Sequence, residues 1–111
     1  MNIITNKDEA VKILLEQKPL VIFQGESEWG ARALGNRSIL FDARNPNAKE
    51  IVNKFKKREW WRPLAGSILL EHAHEYFNFG SLKESPTMSF AVDAKEKALK
   101  EVPSIVHVDN T

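Results

Sequence analysis

Two short apolar runs, Leu20-Val21-Ile22-Phe23 and Ser38-Ile39-Leu40-Phe41, bracket the string Gly25-Glu26-Ser27-Glu28-Trp29-Gly30-Ala31-Arg32-Ala33-Leu34-Gly35-Asn36-Arg37. The flanks read as strands, the first buried on both faces because it is apolar throughout. Three glycines, two acids and two arginines without a sustained period make the string between them a structured loop. Upstream, Thr5 and Asn6 precede Asp8 and Glu9 as in a capping box, and Ala10, Val11, Leu14 and Leu15 recur at helical spacing, which predicts a helix over 7–17 stopped by Pro19. Downstream, Asn45-Pro46-Asn47 opens a second helix whose core face is Ala48, Ile51, Val52 and Phe55.

The end of that second helix can be placed from geometry. Lys56 and Arg58 are two apart, so they diverge on a helix and share a face on an extended chain. If both serve one anion, the helix must unwind by about Lys56. Further on, Gly66 to Leu70, Thr87 to Val92 and Ser104 to Val108 read as strands, and Glu71 to Phe77 and Ala94 to Lys100 as short helices. Helices and strands intermingle, so the expected class is α/β or α+β, a twisted mixed sheet with flanking helices.

At 111 residues the chain amounts to one small domain, and 42% apolar with 28% charged residues suits a globular chain. No apolar run reaches the roughly 18 residues of a membrane span, and no signal peptide opens the sequence. Cysteine is absent, which excludes disulfides, zinc-thiolate sites and thiol nucleophiles and fits a cytoplasmic setting. The net charge of +1 hides an asymmetry. Nine Lys or Arg against three acids between Arg32 and Arg62 give that stretch +6 and leave −5 for the rest. An anionic partner fits such a stretch, either phosphates on a small molecule or a nucleic-acid backbone. A solvated charged surface is the alternative.

Two stretches carry the candidate chemistry. The loop from Gly25 to Arg37 offers backbone close to a ligand and two guanidinium forks, Arg32 and Arg37, though its glycine spacing fits neither a Walker loop nor the dinucleotide fingerprint. In Lys54-Phe55-Lys56-Lys57-Arg58-Glu59-Trp60-Trp61-Arg62-Pro63, cations and indoles interleave, which suits a triphosphate with a stacked purine and equally suits single-stranded nucleic acid. One of the paired tryptophans is expected to pack inward and the other to line a surface or cleft. His72 and His74 lack the four-residue spacing of helical metal ligands, and no serine stands in a nucleophile elbow. No metal site and no catalytic side chain are assigned.

Together these stretches resemble the C-terminal domain of the NodU/CmcH-type carbamoyltransferases. The resemblance rests on the run from Gly25 to Leu40, above all Arg32-Ala33-Leu34-Gly35-Asn36-Arg37-Ser38-Ile39-Leu40. It continues through Asp42-Ala43-Arg44, Asn53 to Pro63, Ser85-Pro86-Thr87-Met88, Val102-Pro103 and His107 to Thr111. It implies part of a YrdC-like domain over residues 1–111 that binds ATP, with magnesium, and carbamoyl phosphate, and forms a carbamoyl-adenylate. A separate Kae1-like domain or chain, which would hold the family's metal ion, would pass the carbamoyl group to a hydroxyl acceptor. Carried over by position, Arg32 and Arg37 would lie by the anionic substrates, while Lys56, Arg58 and Arg62 would neutralise phosphates. Glu28 and Trp29 would shape the loop. Ala31, Ala43 and Gly66 stand where the family usually has proline, and Asn110 where it usually has glycine. The family continues for many tens of residues past Thr111, so a partner chain or self-association is expected. An RNA-binding module and an inert assembly subunit are the alternatives.

Overall fold

The computed structural model describes residues 3–111. The chain forms two compact units, one ending at Asp42 and one running from Ala43 to Thr111.

The first unit opens with α1, Lys7–Leu15. Asn6 caps it from an extended conformation, its side chain accepting a 2.9 Å hydrogen bond from the Asp8 amide, and Asp8 and Glu9 complement the helix dipole. The helix stops two residues short of the expected end because Gln17 turns left-handed at φ 59°. Strands β1, Leu20–Val21, and β2, Ile39–Leu40, then pair antiparallel with Leu20 opposite Leu40 and Val21 opposite Ile39. The ladder continues through Ile22 N–H to Ser38 O at 2.7 Å and Gln24 N–H to Asn36 O at 3.0 Å, so the loop is pinned at its neck. The first apolar run is not buried on both faces as expected. Val21 is exposed and Phe23 is 80% exposed, since a two-stranded ladder covers little of itself.

In the second unit, α2 spans Ala48–Phe55, α3 Leu70–Tyr76, β3 Phe77–Asn78, β4 Asp93–Ala94 and α4 Glu96–Glu101, followed by a single 3-10 turn at Pro103–Ile105. Strands β3 and β4 pair antiparallel, Phe77 opposite Ala94 and Asn78 opposite Asp93. The α+β class holds, and the expected mixed sheet resolves into two antiparallel pairs. The core of this unit is small: Ala48 and Val52 of α2, Ala73 of α3 and Ala98 of α4 are the buried apolar side chains among the described residues, joined by Ser104, whose hydroxyl donates to Ala43 O at 2.8 Å.

Three segments expected as strands are not strands. Residues 66–69 run without a pairing partner, and a Cβ at Gly66 would overlap Ile105 Cδ1, so that backbone lies directly against the 3-10 turn. Met88 at φ 51° breaks the segment from Thr87 to Val92. Pro103, locked near helical φ, starts the 3-10 turn where a strand over Ser104 to Val108 was expected. Asn110, the position that departs from the resembled family's glycine, has φ 64°, a conformation asparagine tolerates better than most residues.

A charged network ties α3 to α4. Glu75 accepts from Lys97 and from His72 at 2.7 Å, the Lys97 ammonium lies 4.5 Å from the Tyr76 ring centroid, and the Tyr76 hydroxyl donates to Glu101 at 2.7 Å. The Lys97 bond first, then the His72 bond, pulls the Glu75 carboxyl from 4.5 down to about 2. A carboxyl depressed in the folded state contributes stability above its unfolded pKa and loses it as pH falls toward the folded one. The thermal midpoint should therefore drop between about pH 4.5 and pH 2. The Lys97→Met chain should show a shallower slope across that window, and parallel slopes would show that Glu75 is not the group responsible.

Candidate functional site

In the first unit the loop from Gly25 to Arg37 is held by its own side chains. Glu28 accepts from the Leu34 amide at 2.7 Å and from the Arg37 amide at 3.3 Å. Gly35 N–H donates to Ser38 Oγ at 2.9 Å, and Asn36 Nδ2 donates to Glu26 O at 3.0 Å. Gly25 sits at φ 57° with the Asn36 side chain 3.1 Å from where a Cβ would be, so this corner requires glycine. Arg37 donates to Gln24 O at 2.5 Å, Asn36 O at 2.9 Å and Gly25 O at 3.4 Å, and its guanidinium lies 3.8 Å from the Phe23 ring centroid. Arg37 thus frames the loop from inside. Arg32 is exposed and has no hydrogen bond or ion pair among the described residues. Trp29 is fully exposed.

In the second unit the end of α2 carries the other three predicted residues. The helix stops at Phe55 and Lys56 is its C-cap, which is where the geometry of Lys56 and Arg58 placed the boundary. The exit is a reversal, not the extended chain expected. Arg58 N–H reaches Asn53 O at 3.1 Å, Lys57 N–H reaches Lys54 O at 3.1 Å, and Lys57 sits left-handed at φ 52°. These are the two bonds of a Schellman turn, with lysine in the position usually held by glycine.

Asn53 organises the chain beyond this turn. Among the described residues its side chain is the largest that is fully buried, and it uses both amide N–H donors and accepts one bond at its oxygen. Nδ2 donates to Trp60 O at 3.0 Å and to Arg62 O at 2.9 Å, while Oδ1 accepts from Arg58 Nε at 2.5 Å. Arg58 Nη2 donates to Pro63 O at 3.2 Å. The segment from Arg58 to Pro63 is therefore folded around one buried amide. Neither tryptophan packs inward as expected: Trp60 is 79% and Trp61 56% exposed, because the interior position is taken by Asn53. Arg62 pairs with Glu59 at 2.5 Å and lies 5.5 Å from the Trp61 ring centroid.

Lys56 has no ion-pair partner among the described residues. Although its side chain reaches solvent, displaced water first, and then the positive charges of Arg58 and Arg62, push its pKa below the ordinary lysine value. Three cations thus crowd one helix end, and Glu59, bonded to Arg62, is the acid whose pKa responds, falling below its ordinary value. Beside this cluster lies an open cleft of about 570 Å³ lined by Pro46, Asn47, Lys49, Glu50, Asn53, Lys54, Arg58 and Trp60. Of the predicted residues, Arg58 lines it and Lys56 and Arg62 do not. Lys49 and Asn53 were not legible as site residues, although their four-residue spacing on α2 would have placed them on one side.

Residues 11–111 match the family model described as Carbamoyltransferase C-terminus. The chain belongs to this carbamoyltransferase family. It is 47% identical over 90 residues to nodulation protein NolNO of Sinorhizobium fredii, covering 79% of the chain and 13% of that protein. Against nodulation protein U of the same organism it is 40% identical over 103 residues, covering 93% of the chain and 18% of the relative. An uncharacterized protein of Methanocaldococcus jannaschii is 36% identical over 99 residues, 89% of the chain and 19% of its own length. The chain thus spans less than a fifth of each of these relatives. Among its described residues no helix is long and apolar enough to cross a membrane, and no three metal-ligating side chains stand together.

Proposed function

We propose that this carbamoyltransferase chain is the part of an ATP-dependent O-carbamoyltransferase that binds the nucleotide and carbamoyl phosphate. The observation that carries the reading is the cationic helix end, where Lys56 stands beside Arg58 and Arg62 with no ion-pair partner among the described residues, in a chain of this family. Nucleotidyl transfer asks a protein mainly for positioning and charge compensation. Lys56, Arg58 and Arg62 would neutralise the phosphates of magnesium-ATP, and Arg32 and the Arg37-framed loop would receive an anionic substrate.

Carbamoyl phosphate would lose its phosphate to water and supply carbamate. A carbamate oxygen then bonds to the α-phosphorus of ATP as the bond to the bridging oxygen breaks, giving carbamoyl-adenylate and pyrophosphate. The hydroxyl acceptor and the transfer step would belong to a Kae1-like domain or chain. A cytoplasmic setting fits these substrates.

Calorimetric titration of the chain with a nonhydrolysable ATP analogue, with and without carbamoyl phosphate, tests the reading. Binding that carbamoyl phosphate strengthens supports it. A folded chain that binds neither would overturn it. Three exposed indoles, Trp29, Trp60 and Trp61, favour a second reading as a single-stranded RNA module, because exposed aromatic rings stack on bases. Affinity for an RNA oligomer that falls steeply with salt, with no ATP binding, would select it.

A further inference from the structure

We propose that the cleft beside α2 extends the nucleotide site proposed above, taking part of the polyphosphate between Lys49, Lys54 and the shared Arg58 with the base over Trp60. The inference rests on the nucleotide reading above and adds a place and ligating residues to it. Three observations carry it. The first is size: about 570 Å³ lies within the range of about 300–1,000 Å³ typical of small-molecule sites. The second is charge. Lys49, Lys54 and Arg58 face one carboxylate, Glu50, and none of the three cations is in an ion pair among the described residues.

The third is preorganisation. Arg58 is not a free surface arginine, since Nε is fixed on the buried Asn53 amide and Nη2 on Pro63 O. Its fork is set before any ligand arrives, which lowers the ordering cost of binding. The same amide holds Trp60 by its carbonyl, and the exposed indole borders the cleft. Three cations and an exposed ring lining one cleft form a pattern that a nucleotide, with charge at one end and a π-face at the other, can fill.

Calorimetry with inorganic tripolyphosphate and with the nonhydrolysable ATP analogue tests this on the full chain. The Lys49→Gln/Lys54→Gln chain should melt like the parent and bind both probes at least tenfold more weakly. Trp60→Ala should weaken the ATP analogue about tenfold while leaving tripolyphosphate within twofold. If the parent binds the ATP analogue and both variants bind it within twofold of the parent, the cleft assignment is overturned and the nucleotide reading stands. If the parent binds no ATP analogue, both are overturned.

Discussion

Asn53→Leu should be the most damaging single substitution in the second unit, costing about 3 kcal/mol of stability and lowering the thermal midpoint by about 10–20 °C. Leucine keeps the branched outline, is larger and a better helix former, and removes every polar contact. Two carbonyls, of Trp60 and Arg62, and the Arg58 Nε–H would face a methyl group in a place that the Asn53 side chain fills to 1% exposure. The penalty comes from these stranded groups more than from the bonds lost. Asn53→Asp serves as the control: it retains an acceptor for Arg58 and forfeits the two donated bonds, so it should fall between parent and leucine variant. Denaturant or thermal melts read all three. A leucine variant as stable as the parent would show that water replaces the amide, and that the segment from Arg58 to Pro63 has another anchor.

Lys56→Glu should separate stability from binding. A lysine whose pKa is lower in the fold than in the unfolded chain is one whose proton the fold disfavours. The direction of the shift says that a positive charge at 56 works against the folded state, and that this burden shrinks as pH rises toward the lysine range. Replacing it with a carboxylate beside Arg58 and Arg62 should leave the melting temperature unchanged or slightly raised. On the proposed reading the same change also removes a phosphate ligand and sets a negative charge against the incoming phosphates. Affinity for the ATP analogue should then fall on the order of 100-fold, about 2.7 kcal/mol. Gain or no change in stability together with lost affinity is the signature of a residue kept for a ligand. Lost stability with unchanged affinity would assign Lys56 to the fold.

Legibility in the sequence tracks the range of the interactions involved. Helix α1 was legible because a capping residue and apolar spacing act over a few residues, and Asn6 caps as its type predicts, whereas α2, α3 and α4 start without a side-chain cap bond. The end of α2 falls where the supposition that Lys56 and Arg58 serve one anion placed it. The Schellman turn that ends the helix was hidden, because its left-handed position holds Lys57 and not glycine. Strands were harder. A run such as Gly66 to Leu70 has strand composition, but a strand also needs a partner, and pairing across distant residues leaves no local mark. The observed pair, Phe77–Asn78 with Asp93–Ala94, is two residues long on each side and contains an aspartate and an asparagine, both poor strand formers.

The site divides in the same way. Arg32, Arg37, Lys56, Arg58 and Arg62 stand out by charge. Asn53 does not, since an asparagine within a helix reads as a weak helix former, and its value appears only when the chain returns to present three polar groups to it.

The smallness of the buried apolar set has a consequence for how the chain behaves over time. In the second unit three of the four buried apolar residues are alanines, and the fourth is Val52. Side chains this short let backbones approach closely but retain few atoms in contact, so a brief opening sacrifices little. Amide hydrogens at Val52, Asn53, Ala73 and Ala98 should therefore be the slowest to exchange with deuterium, while most others trade with solvent through small, frequent openings. A molecule of this kind keeps one persistent knot around α2, α3 and α4 and lets its periphery breathe.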